Sequence, residues 1–139
     1  MCVLRASGEA FDVDAFLSGS PLQPYKVFHR GEPRLPRSHP EGPQHATSGI
    51  NIQVSEAPWS DLPSQISDAE RFLETHREEL QRLAESPGVV DLTLDFPINL
   101  RIDGASVVAQ FDRFPASLTR LAGHLGIALE LSIYPAGAR

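Results

Sequence analysis

The hydrophobic positions change their spacing several times along the chain, and each change marks an element. "CVLRAS" is a short apolar run and reads as a first strand. In "EAFDVDAFLSGS", Phe11, Ala15 and Phe16 share a helical face and Asp12 stands at the N-cap position, which predicts a short helix. "YKVFHRG" predicts a second strand, stopped by Gly31-Glu32-Pro33. From 31 to 48 the apolar spacing is lost. Pro33, Pro36, Pro40 and Pro43 each remove a backbone donor and fix φ, so the expectation is a long surface loop.

"SGINIQVSE" sets Ile50, Ile52 and Val54 against Asn51, Gln53 and Ser55, a strand with one buried and one wet face. "SDAERFLETHREELQRLAES" then turns to helical spacing. Ile66, Ala69, Phe72, Leu73, Leu80 and Leu83 line one face, Ser67-x-x-Glu70 reads as a capping box, and Ser86-Pro87-Gly88 ends the helix. His76 falls on the inner side of this helix. "VVDLTLDFPINLRIDGASVVAQF" alternates from Val90 to Ile102, with Pro97 marking an edge or a bend. Asp103-Gly104 predicts a hairpin turn that sets Leu100 opposite Val107 and Ile98 opposite Ala109. "FPASLTRLAGHLG" gives a last helix with His124 near its exposed end, and "IALELSIYP" a last strand.

Strands with one polar face and helices with one apolar stripe are both satisfied by two layers. The expected class is α+β, a two-layer sandwich with a largely antiparallel mixed sheet, helices on one face, and a partly ferredoxin-like order. The 139 residues make one domain, 1–139, with a Pro/His-rich loop at 31–48.

Charge narrows the partners. The net charge is -6, with 6 acidic and 5 basic residues in 1–60 against 12 and 7 in 61–139. Nucleic-acid binding calls for a basic face, so nucleic acid is not expected as a partner. Cys2 is the only cysteine, which excludes an internal disulfide and a zinc site built on thiolates. The opening residues lack the pattern of a signal peptide, and no run nears the ~20 apolar residues of a membrane helix. A cytoplasmic protein without membrane contact is the expectation.

"LRASGEAFDVDAFL", "HRGEPR", "SGINIQVSEAPWSDLPSQISDAERFLETHREELQRL", "GVVDLTLDF" and "FPASLTRLAGHLGIALELSIYP" together resemble a family of small bacterial domains of unknown function. The resemblance spans nearly the whole chain and rests on element order and short phrases. It implies a cytosolic α+β domain with an immunity-like or partner-binding role, because some relatives are thought to be encoded near toxin systems. It carries no catalytic residue, and the Pro/His-rich insert after "HRGEPR" departs from the family pattern.

The candidate chemistry centres on "HRGEPRLPRSHPEGPQH". Arg30, Arg34 and Arg37 suit an acidic partner, since guanidinium forks match carboxylates. His29, His39 and His45 form the alternative, a transition-metal site, but their wide spacing favours incidental histidines on a solvated loop. Asp91 and Asp95 share a strand face and would complete a metal-dependent hydrolase, although solvent exposure also explains them. Trp59 in "SEAPWSDLP" either packs on the helix start or serves as an exposed anchor. No Walker loop, dinucleotide fingerprint or nucleophile elbow accompanies these residues. The leading reading is a non-enzymatic protein-binding domain, monomer or homodimer, with no cofactor. The alternatives are a small metal-dependent hydrolase and a small-molecule-binding domain.

Overall fold

A computed structural model describes residues 1–135. Its strands are β1 (Cys2–Gly8), β2 (Lys26–Phe28), β3 (Pro33–Leu35), β4 (His39–Gln44), β5 (Ser48–Ser55), β6 (Asp91–Asn99) and β7 (Ala128–Tyr134). Its helices are α1 (Val13–Ser18), α2 (Leu62–Thr75), α3 (Arg77–Ala84) and α4 (Ala116–His124). Five strands form one sheet in the order β2-β5-β1-β6-β7, and β3 and β4 form a separate two-stranded ribbon. β1 pairs antiparallel with β5 and β6, β2 antiparallel with β5, and β6 parallel with β7. The fold is mixed α+β, with the helices on one side of the sheet.

Alternation along the strands builds the core. Leu4 and Ala6 of β1, Ile50 and Ile52 of β5, and Leu92, Leu94, Phe96 and Ile98 of β6 are buried in one cluster with Leu73, Leu80, Leu83 and Leu118 from the helices. α2 packs on β5 and β6, and α4 packs on α2 and β7. Among the described residues no helix is long and apolar enough to cross a membrane.

α2 begins earlier than the Ser67 capping box implies. Its N-cap is Asp61, whose side chain accepts from the Ser64 N–H at 3.1 Å, and Pro63 sits in the first turn. The cause lies upstream: Leu62 and Ile66 already belong to the stripe of Ala69 and Leu73, so burial pulls the start back by more than a turn, to Asp61. Ser67 is an exposed interior residue. The single long helix also divides at His76, which has φ -107° and tilts against the Phe72 ring.

Two segments differ more sharply. The expected loop at 31–48 contains the β3–β4 hairpin, with Pro33 paired to Gln44 and Leu35 to His39. Each strand of a two-stranded ribbon keeps one free edge, so a proline can turn its missing donor outward without breaking the ladder. Conversely, the second strand expected after Asp103-Gly104 does not form. The Asp103 carboxylate accepts from the N–H groups of Ala105, Ser106 and Val107 and from the Ser106 hydroxyl. These bonds, the Ser106 hydroxyl foremost, hold its carboxyl far below the usual range and shape a wide turn around one side chain. The returning segment makes no ladder, and Leu100 does not face Val107 across a hairpin. The Gln110 side chain instead bonds the Arg101 N–H and the Asn99 carbonyl.

Leu94 is fully buried at the centre of β6. Leu94→Ala is expected to cost about 2–5 kcal/mol. Urea unfolding checks this, with a lower midpoint and an unchanged slope.

Candidate functional site

The face of the sheet away from the helices is polar and organised around Arg5. As a residue of the central strand, Arg5 reaches Asp95 at 3.4 Å and Glu130 at 3.0 Å, and the Ser132 hydroxyl donates to Asp95 at 2.7 Å. Asp95 is therefore buried in this network rather than simply solvated, whereas Asp91 stays exposed.

The β3–β4 hairpin rises beside this face. Its base is closed by Gly31 N–H to the His45 carbonyl and His45 N–H to the Glu32 carbonyl, both at 2.9 Å. Gly31 has φ +88°, a conformation that favours glycine. The Phe28 ring stacks on His45, with centroids 4.8 Å apart. Phe28 also covers Gly49, its partner across β2 and β5. A β-carbon there would stand 2.5 Å from both the ring and the Ala6 main-chain carbonyl, so a side chain at 49 would push against the neighbouring strand as well as the hairpin's anchor.

Between hairpin and sheet runs a groove of about 620 Å³ lined by Arg5, Lys26, Phe28, Arg34, Leu35 and His45, with Pro43 and Asn51 among the remaining wall residues. Three side chains of the lining are cationic and none is a carboxylate. Lys26 lies 5.8 Å from the Phe28 ring centre, and neither Lys26 nor Arg34 forms an ion pair among the described residues. Desolvation, aided by repulsion from Lys26 and Arg34, lowers the His45 pKa from its ordinary value.

The candidate residues distribute unevenly. Arg34 faces the groove. Arg37 is exposed and Arg30 is exposed, its backbone N–H bonded to the Ser48 hydroxyl, and neither lines the groove. Trp59 is half-buried and stacks on Tyr134 at 4.5 Å, while its carbonyl accepts from the Asn99 N–H; it packs at the end of the sheet, away from the groove. His29 bridges Asp14 of α1 at 3.1 Å and Glu32 at 2.6 Å, His45 stacks on Phe28, and His39 bonds the Ser38 hydroxyl. Among the described residues no group of three or more His, Cys, Asp or Glu side chains is placed to hold a metal ion. Cys2 is buried, and burial pushes its thiol up to about 12.

Arg5 and Lys26 are the groove residues that the linear pattern did not single out. Their signal is faint: a lone cation inside an apolar first strand, and a lysine two residues before an aromatic.

His29 gives a pH-dependent brace between hairpin base and α1. The hydrogen bond that the ring N–H donates to the Asp14 carboxylate raises its pKa above the ordinary value, with Glu32 adding to the shift. A raised folded-state pKa stabilises at pH below the unfolded-state value, and that contribution disappears as pH climbs through the folded-state value. In an NMR titration of the imidazoles, His29 is expected above and His45 below the ordinary value. Asp14→Asn is expected to bring His29 down; an unmoved His29 would refute the brace.

Compared with protein-family models, with curated proteins and with solved structures, the chain matches none.

Proposed function

We propose that the protein is a non-enzymatic, cytosolic binding domain of immunity-like or regulatory kind. Its protein partner lays an acidic segment in the groove between the β3–β4 hairpin and the polar face of the sheet. The observation that carries this reading is the lining: Arg5, Lys26 and Arg34 without a carboxylate, in a chain of net charge -6. An acidic partner is repelled by most of such a surface, so binding must be local. Screening over about 8 Å at physiological ionic strength lets one basic patch act against the net charge.

The three cations divide the work. Arg5 is already neutralised by Asp95 and Glu130, so it orients more than it attracts. Lys26 and Arg34 hold the uncompensated charge. Arg34 offers a planar fork for a carboxylate, and Leu35 and Phe28 supply apolar contact for the stems of glutamate side chains. Charges on the rim of such a site govern association rate and salt dependence.

An oligoglutamate peptide is the probe, followed by fluorescence anisotropy at low and at physiological salt. Arg34→Glu and Lys26→Glu are each expected to weaken binding roughly tenfold, a loss of about 1.4 kcal/mol. Arg37→Glu, outside the groove, is expected to change it by less than about twofold on the scale of ordinary surface substitutions. Absence of binding by the unaltered protein, or equal losses at Arg37 and Arg34, would overturn the proposal.

A further inference from the structure

The two edges of the sheet are built differently. β2, at one edge, has three residues, carries Lys26, follows Pro24 and leads into the hairpin. Short length, charge and proline are the usual protections of an exposed edge. β7, at the other edge, has seven residues, "ALELSIY", with no proline, lysine or glycine. Among the described residues no strand pairs with its outer side.

One hydrogen bond sets the direction of every main-chain group in β7. The Leu100 N–H donates to the Tyr134 carbonyl at 2.7 Å, from the β6 side, so the main-chain groups of Tyr134 point inward. Alternation then turns those of Ala128, Glu130 and Ser132 inward as well. The N–H and C=O groups of Leu129, Leu131 and Ile133 point outward.

We propose that two copies of the chain pair through β7, antiparallel about a twofold axis at Leu131, joining two five-stranded sheets into one. A twofold perpendicular to the sheet keeps helix face beside helix face, so outward residues meet outward residues. With the axis on Leu131, Leu131 faces Leu131 of the second copy, and Leu129 and Ile133 face Ile133 and Leu129. All three outward donors and all three outward acceptors of each chain are satisfied.

Neighbouring registers fail on specific residues. With the axis on Ser132, Leu129 meets Pro135, which has no N–H to give. With the axis on Glu130, two carboxylates stand directly opposite, a destabilising pair. At Leu131, Glu130 faces Ser132 of the second copy and keeps Arg5 at 3.0 Å. The same register sets the half-exposed Ile133 against Leu129, continuing the apolar row on the helix side. The grooves lie near β2, at the far ends of the joined sheet, so pairing leaves both open and makes the assembly bivalent.

Sedimentation of the full chain from micromolar to millimolar concentration tests the proposal. The unaltered protein is expected at twice the chain mass. Ile133→Pro removes an N–H that points away from β6 and serves no bond among the described residues, and Ile133→Lys places a charge in the apolar row. Both are expected to raise the dimer dissociation constant roughly a hundredfold or more, the scale of lost central interface contacts, with an unchanged circular dichroism spectrum. Should the proline variant lose its fold, the lysine variant decides. Arg34→Glu is expected to remain dimeric, so failure of the groove and failure of the dimer are read separately. A monomer across the whole range, or folded Ile133 variants that pair as tightly as the unaltered chain, would overturn it.

Discussion

A central strand can give only every other side chain to each face of its sheet, and β1 obeys this with opposite chemistry on its two sides. Leu4 and Ala6 enter the core under the helices, while Arg5 stands on the other face. Both layers follow from that division. The apolar side collects the stripes of α2 and α4, and the polar side gathers Asp95, Ser132 and Glu130 around one guanidinium. Because Arg5 lies between the β6–β7 half and the β5–β2 half, it closes a charge network on one side and forms a wall of the groove on the other.

The hairpin depends on this face in turn. Phe28 lies flat on Gly49 and under His45, so the missing side chain of one glycine decides where the ribbon stands. Its prolines stiffen the ribbon, and its cations inherit a fixed wall opposite them. The two sheet edges thereby acquire separate roles, the short edge carrying the hairpin and groove, the long edge a row of main-chain donors and acceptors that no strand pairs among the described residues.

Periodicity made most of the fold legible. The alternation at Ile50 and Ile52, or from Leu92 to Ile98, and the stripe of Ala69, Leu73 and Leu80 appear in the structure as buried faces. Where local rules competed, the pattern misled. Ser67-x-x-Glu70 satisfied a capping rule, but Leu62 and Ile66 extended the helix beyond it. Asp103-Gly104 satisfied a hairpin rule, but one carboxylate with four hydrogen bonds made a wider turn. Prolines in 33–43 argued for a loop because a linear reading does not see that a ribbon has free edges. Of the groove, Arg34 was legible from its basic run, while Arg5 and Lys26 were not, because each is a single cation in an otherwise ordinary strand.

The sequence by itself determined the α+β class and the buried faces of β5, of β6 from Leu92 to Ile98, of α2 and of α4, because side-chain spacing of two or of 3.6 residues is a local property of the backbone. It determined also that the net charge is -6 and that Cys2 has no partner thiol. Tertiary structure alone decided strand order, the parallel pairing of β6 with β7, and the meeting of Arg5, Lys26 and Arg34 around one groove. Those outcomes depend on which strands become neighbours, and neighbours in a sheet are chosen by burial and chain connectivity over distances that spacing along the chain does not encode.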